Sequence, residues 1–426
     1  MKNYNYSKQR MHKTIKILAI LIILITLQGV NQFSSFTIGD GIWYWIIFTM
    51  LLIVLSTIIK KRKLLQPKEY LPIKIFFIYL IITIIRSPFM AHTYYDWKFL
   101  FDNFFTFTLI ISTAVFSEPD ILQYTLKKWF YYAFPLFFIY ALFFISSNVY
   151  GAYMAPLTLI IFFLPGISIK RKWVFIILAL LITFIDISAR STVVKYFTPL
   201  LIMLLYIANQ VFKIPVNTLC KKMRLLFLIS PFVLFILGVS GIFNVFNMDE
   251  YIGRGKKYTV KYDAGNGIME DTDLLGDTRT FIYEEVITSA INNNYVIWGR
   301  TLARGNDSAS FGVAINELLN LGRDERQGNE VGIANIFTYM GIIGVLLYFF
   351  IFYKASYLAI YQSHNLITKL IGLYISFRWL WAWVEDMLRP NIGTITLWMF
   401  LAICFSEKFR SMNNEQIKLW AKTIFK

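Results

Sequence analysis

Five charged residues carry the chemistry this chain could do. Arg190 stands in IDISARSTVV, Arg279 in GDTRTFIYEE, Arg300 and Arg304 in WGRTLARGND, and Glu330 in GNEVGIANIF, where a polar stretch turns into an apolar one. A guanidinium can fork two N–H groups onto phosphate oxygens, and a carboxylate can take a proton or orient a hydroxyl. Each has a plain reading too. Asp186 lies four residues before Arg190, the spacing of an ion pair on one helix face. Arginines in a loop are usually solvated. A glutamate at a helix start interacts favourably with the free N–H groups there. What raises the chemical reading is that Arg190, Arg279, Arg300 and Glu330 are all expected on one side of a membrane. A second charged group, Glu385, Asp386 and Arg389 in WVEDMLRP, is expected on the same face and could line the same cavity; its plain reading is an interfacial anchor.

Other chemistries find little support. The sequence has no phosphate-cradling Walker loop, no zinc motif and no Ser-His-Asp order. His12, His92 and His364 are scattered without metal-ligand spacing, so no metal and no cofactor are expected. Asp271-Thr-Asp273 could hold a metal on a nucleotide sugar, but those sugars are cytoplasmic and this loop is expected outside, so it reads as solvated.

The elements that must position these groups are membrane helices. Of the 426 residues 57% are hydrophobic and 18% aromatic, more than a soluble fold can hide. Twelve mostly apolar segments of about the ~20 residues needed to span fall at roughly 15–35, 41–59, 72–90, 97–116, 129–147, 152–169, 173–189, 193–212, 225–243, 331–353, 366–384 and 391–406. The first reads as a retained helix, because no small-residue cleavage site follows it. Basic clusters at 60–63, 127–128, 170–172, 221–224 and 408–426 follow even-numbered spans, while the short loops near 36–40, 91–96 and 148–151 carry no Lys or Arg. That pattern predicts both termini in the cytoplasm. Cys220 and Cys404 then fall near the cytoplasmic face, where no disulfide framework forms.

The expected division is 1–243 with nine spans, 244–330 as one large extracytoplasmic loop with two short helices, and 331–426 with three spans and a basic tail. The loop holds nine Lys and Arg against fourteen Asp and Glu; it is acidic, and the excess of the +17 net charge lies elsewhere. This is the positive-inside pattern with anionic-lipid contact, not a nucleic-acid footprint. Within the loop, YTVKY suggests a hairpin. Phe281, Ile282, Val286, Ile287 and Ala290 recur at helical spacing, with Asp277 or Thr278 as cap, and SASFGVAINELLNLG suggests a second amphipathic helix ending at Gly322. The tail NNEQIKLWAKTIFK reads as an amphipathic helix lying on the membrane.

The series SAR at 188–190, DTRTFIYEE at 277–285, NYVIWGR at 294–300 and NEVGIANIFTYMGIIGVLLYFF at 329–350 resembles the O-antigen polymerase and O-antigen ligase superfamily of the Wzy/WaaL type. The likeness covers mainly 186–350. Gly341 and Gly344 supply the G-x-x-G of the helix after the loop; the turn expected as G-x-G is only Gly299-Arg300-Thr301, and Glu330 stands where the ligase subgroup has His, which leans toward polymerase. The likeness is silent on Arg86, Asp96, Asp102, Glu385, Asp386 and Arg389. It implies an all-α polytopic GT-C-like bundle and a metal-independent glycosyltransferase joining undecaprenyl-diphosphate-linked oligosaccharide repeat units. It implies the same lipid-linked oligosaccharide as donor and acceptor, with the bilayer, a chain-length regulator and a flippase as partners. Under it Glu330 and Arg279 are catalytic and Arg190, Arg279 and Arg300 bind diphosphate; apart from it, Arg304, Asn329, Glu385 and Arg389 could line the cavity by their place on the outer side. The alternatives are a ligase with the same chemistry, a flippase or other transporter of lipid-linked sugars, and a structural subunit of an export complex. A flippase would spread polar residues through the mid-depth of the bundle.

Overall fold

The structure is a computed structural model and describes residues 2–35, 37, 41–144, 148–185, 190–247, 259–263, 269–273, 277, 279–386 and 388–426. Helices dominate it. In chain order they are α1 (Lys2–Gln28), α2 (Ile42–Arg62), α3 (Leu71–Arg86), α4 (Tyr94–Thr108), α5 (Ser112–Phe116), α6 (Pro119–Tyr140), α7 (Asn148–Tyr153), α8 (Ala155–Phe163), α9 (Ile169–Phe184), α10 (Arg190–Phe212) and α11 (Val216–Val239). After the polar stretch come α12 (Thr280–Asn292), α13 (Gly312–Leu319), α14 (Gly332–Gln362), α15 (Leu366–Trp381), α16 (Ile392–Phe405), α17 (Glu407–Ser411) and α18 (Asn414–Ile424). Four short strands complete the chain: β1 (Thr259–Asp263) pairs antiparallel with β2 (Met269–Asp273), and β3 (Asn306–Asp307) with β4 (Glu325–Arg326).

Among the described residues seven helices are long and apolar enough to cross a membrane. Isoleucines 78, 81 and 85 on α3, and Ile177, Leu181 and Phe184 on α9, stay exposed on outward faces. Contiguous apolar surface of that kind suits lipid and not water. The molecule is a helical, multi-pass membrane protein. Each of the twelve apolar segments contains helix. Several are shorter or interrupted: the sixth breaks at Met154 into α7 and α8, and α16 has 14 residues, nearly all buried. A helix that is apolar all round belongs inside a protein, and α16 packs against α5, α8, α14 and α15 at the centre of the bundle.

Two sequence expectations are corrected here. Lys127 and Lys128 do not lie in a loop, because α6 starts at Pro119, the favoured proline position of a first turn, and carries them within it. The tail does form an amphipathic helix, α18, but its apolar face does not lie on lipid. Ile417, Trp420, Ala421 and Ile424 are buried against the bundle, and the indole N–H of Trp420 donates to the Pro119 carbonyl at 3.0 Å. Gly166 makes room for it: a Cβ there would meet the Lys418 carbonyl oxygen at 2.4 Å.

Contacts sort the loops between two ends of the bundle. At one end Arg62 pairs with Glu118 and Asp120, Lys408 with Glu118, and Arg171 donates to the Phe425 carbonyl. The polar 277–331 stretch sits at the other end, tied to the starts of α4 and α14 and to the 382–391 connection.

Candidate functional site

Three chain segments converge to build the site. The first is the start of α12. Asp277 Oδ1 accepts the backbone N–H groups of Arg279 and Thr280, so Asp277 does the capping while Arg279 takes the N-cap position itself; Thr278 lies outside the described residues. Burial would raise the Asp277 carboxyl, but the hydroxyl and N–H of Thr280 and the N–H of Arg279 outweigh it and hold it below the ordinary range. The second segment is 329–333, the entry to α14. The third is 382–386, after α15. Gly332 N–H donates to the Glu385 carbonyl at 3.1 Å, Ile333 N–H to Ala382 at 3.0 Å, and Asp386 N–H to the Glu330 carbonyl at 2.6 Å. Two of the donors a helix start leaves open are therefore met by backbone. The Glu330 side chain does not cap α14. It faces Arg279 instead.

That pair is the centre of the site. Arg279 Nη1 lies 2.7 Å from Glu330 Oε2, and Arg279 Nε donates to the Val384 carbonyl at 3.0 Å. Arg326 stands 3.6 Å from the other Glu330 oxygen. The hydroxyl of Tyr283, one turn along α12, donates to the Trp383 carbonyl, so α12 is pinned to the third segment as well.

Arg279 and Glu330 open onto a cavity of about 490 Å³ between α8, α10, α15 and α16. Its wall includes Arg190, Lys195, Arg279, Arg378 and Arg389 against Glu330, Glu385 and Asp386, an excess of two positive charges. Lys195 Nζ meets Glu385 Oε1 at 2.5 Å, and Trp381 donates its indole N–H to the other Glu385 oxygen. Burial alone would raise Glu385, but Lys195 and then Arg378 overcome it and hold the carboxyl low. The neighbouring Asp386 goes the opposite way. Its burial is the largest influence and raises its pKa, only partly offset by Arg389, 3.4 Å away, and by the Leu388 N–H.

Of the residues singled out by sequence, Arg190, Arg279, Glu330, Glu385, Asp386 and Arg389 line this one cavity. Asp186, the expected partner of Arg190, lies outside the described residues, as do Ser188 and Ala189. Arg300 and Arg304 are not brought to the cavity. Both pair with Glu325, which is 2% exposed, and Arg300 also meets Asp307 at 2.8 Å; Arg323 joins the same carboxylate and reaches across to Asp96 at the start of α4. This buried ion cluster leaves neither arginine facing the cavity. Asn329 is also elsewhere: it is buried, donating to Asn306 Oδ1 at 2.8 Å and exchanging backbone hydrogen bonds with the Asn335 side chain.

Sequence reasoning missed Lys195 and Arg378. Arg378 is 8% exposed, its guanidinium lies 5.9 Å from the Tyr374 ring centre, and its Nε has no hydrogen-bond partner among the described residues. The signal was available. An arginine within an otherwise apolar span is expensive and marks a site.

The glycine motifs turn out to build the scaffold. Inside α14, Gly341 takes φ 63° and ψ −167°, which breaks the helix and frees carbonyls. The 296–301 segment fills the break: Arg300 N–H donates to Thr338 at 2.7 Å, Thr301 N–H to Tyr339 at 3.2 Å, and Ile342 N–H to the Val296 carbonyl at 2.9 Å. Tyr79 and Arg86 of α3 close the joint on the Met340, Trp298 and Gly299 carbonyls. Irregular backbone survives near a membrane interior only when every group is met this way.

No family model, curated protein or solved structure matches this chain.

Proposed function

We propose that this protein is a surface-polysaccharide polymerase of the O-antigen type. In this reading it lies in a bacterial cytoplasmic membrane with about twelve spans, both termini inside and the 244–330 stretch outside. It joins undecaprenyl-diphosphate-linked repeat units without metal or nucleotide. The observation that carries the reading is the meeting of Arg190, Arg279 and Glu330, from three distant parts of the chain, in one cavity with a surplus of positive charge.

The chemistry follows from that wall. The hydroxyl of the acceptor sugar attacks the anomeric carbon of the donor. The new glycosidic bond forms as the bond from that carbon to the diphosphate oxygen breaks, and the diphosphate leaves with the electron pair. Cations placed where this negative charge grows lower the barrier. Arg190 and Arg279 take that role, joined by Arg378 and Lys195 deeper in the cavity. Arg300 is left out, since it does not line the cavity and is held by Glu325 and Asp307. Glu330 accepts the hydroxyl proton or orients that hydroxyl. Asp386, in the same wall with a raised pKa, is the competing proton acceptor. A ligase would use the same chemistry on another acceptor.

The test is cellular. Arg190→Ala and Arg279→Ala should abolish long chains while single repeat units build up on the lipid carrier and the protein still inserts. Arg190→Lys should already impair polymerisation, because it keeps charge but loses the fork. Normal chain length in either alanine variant would overturn the reading.

A further inference from the structure

A second cavity, of about 730 Å³, lies beside the first, and Gly29, Arg389 and Asn391 line both. Its size falls within the ~300–1,000 Å³ usual for small-ligand sites. Its character differs from that of its neighbour. Tyr44, Trp45 and Tyr94 present aromatic surface, and Asp102 and Lys98 of α4 provide one charge of each sign. Two of the rings are held in place: the Tyr44 hydroxyl donates to the Pro390 carbonyl at 2.8 Å, and the Trp45 indole N–H to Asp102 Oδ1 at 3.0 Å. Among the described residues the Asp102 carboxylate has no other hydrogen bond, so Oδ2 is available to a ligand. A half-buried carboxylate in a membrane helix is expensive unless it meets a partner or a water-filled cavity.

We propose that this second cavity is a glycan subsite that takes a neutral sugar ring of the substrate, with Trp45 or Tyr44 as stacking surface and Asp102 as acceptor for sugar hydroxyls. The inference rests on the polymerase reading for the identity of the sugar's bearer, but the recognition chemistry is its own. The C–H face of a pyranose is apolar and lies well on the electron-rich face of an aromatic ring. Its hydroxyls need fixed acceptors, which Asp102 supplies. Lys98 and Arg389 outnumber Asp102 by one in this wall, so it is the aromatic surface and not the charge that disfavours a diphosphate here; a polyprenyl chain would set Asp102 Oδ2 against hydrocarbon. The shared wall places the sugar next to the cation cavity, so a diphosphate in the first chamber and the ring attached to it in the second would be adjacent.

The experiment is saturation-transfer NMR on the full-length protein in a detergent without a sugar headgroup, with maltotriose and N,N′,N″-triacetylchitotriose as probes. Wild type should transfer saturation to the ring protons of at least one probe. Trp45→Ala and the isosteric Asp102→Asn should each weaken binding about tenfold, or ~1.4 kcal/mol, while Arg279→Ala binds as wild type does. Thermal melting of each variant confirms that it is folded, and Asp102→Asn carries the test if Trp45→Ala is not. No transfer to either probe in wild type, or transfer unchanged by Asp102→Asn, overturns the subsite. Polymer production in cells separates the two readings. Oligosaccharide binding without polymerisation sinks the polymerase and keeps the subsite; normal polymer from Trp45→Ala and Asp102→Asn does the reverse.

Discussion

Arg279 and Glu330, 51 residues apart in the chain, meet at 2.7 Å where the polar stretch enters the membrane helix α14. The pair gives Glu330→Gln a sharp meaning. A carboxylate that served only the helix start would be worth ~0.3–1 kcal/mol, and its amide would be nearly silent. As proton acceptor or as the group aiming Arg279, it cannot be replaced by an amide. Glu330→Gln should fold, accumulate single repeat units on the lipid carrier and turn over ~10²–10⁴-fold more slowly. If purified Glu330→Gln polymerises at the wild-type rate and Asp386→Asn is the variant that stalls, the proton goes to Asp386.

Arg300 makes the contrasting case. It shares Glu325 with Arg304 and Arg323, and that carboxylate is all but fully buried. Removing the shared carboxylate takes it from all three arginines, at about 3–5 kcal/mol, whereas removing Arg300 leaves Glu325 paired with Arg304 and Arg323 and costs less. Glu325→Gln should therefore expose the 296–326 stretch to protease and lower the melting temperature, and Arg300→Ala should do so less. A folded, protease-resistant Glu325→Gln would show that the cluster does not hold this stretch.

Gly299 and Gly341 interlock. A Cβ at Gly299 would meet the Met340 backbone N at 2.3 Å, and one at Gly341 the Ile297 carbonyl oxygen at 2.2 Å; both residues sit at positive φ. Each alanine substitution adds about 1–2 kcal/mol of left-handed backbone cost to a backbone clash of about 1–3 kcal/mol. Gly344→Ala should be milder, because Gly344 is not at positive φ and keeps only the clash, its Cβ meeting the Met340 Cβ at 2.2 Å. Melting of the three purified variants orders them.

The carboxyl groups around the site respond to pH with opposite signs. Burial would raise Asp307, but Arg300, Asn293 and Ser289 outweigh it, so Asp307, like Asp277, is depressed. The stability these two lend is complete above the unfolded value near ~4 and drains as pH falls through their lower folded values. Asp386 is raised, so the folded protein binds its proton more tightly than the unfolded chain, and its contribution worsens as pH rises from the unfolded value through the folded one. Asp386→Asn should melt higher than wild type at neutral pH, with the gap closing on acidification. A gap that widens in acid would refute the sign.

Orientation has a direct check. Reporter fusions at Asn266 and Lys426 should signal from opposite sides of the membrane. Same-side signals, or a cytoplasmic signal at Asn266, would overturn the topology and remove the site from the outer surface.

Much was legible without coordinates because it is local. Hydropathy marks helix-length segments, and period marks α12 and α13. The YTVKY hairpin and the place of Glu330 before α14 follow from neighbours a few residues away. The sequence also shows that Arg190 needs water or a partner, by the cost of a charge in an apolar span.

The same rule applies to Arg378 and Lys195, yet nothing in their own neighbourhoods says that they share a cavity with Arg279. Only the packing of α10, α15 and α16 brings them there. Arg300 and Arg279 look alike as loop arginines, and tertiary structure alone sends one to Glu325 and the other to Glu330. For α18, amphipathic periodicity determines that one face is apolar but is blind to what covers it, since lipid and protein satisfy apolar side chains equally well; the cleft at Gly166 decided for protein.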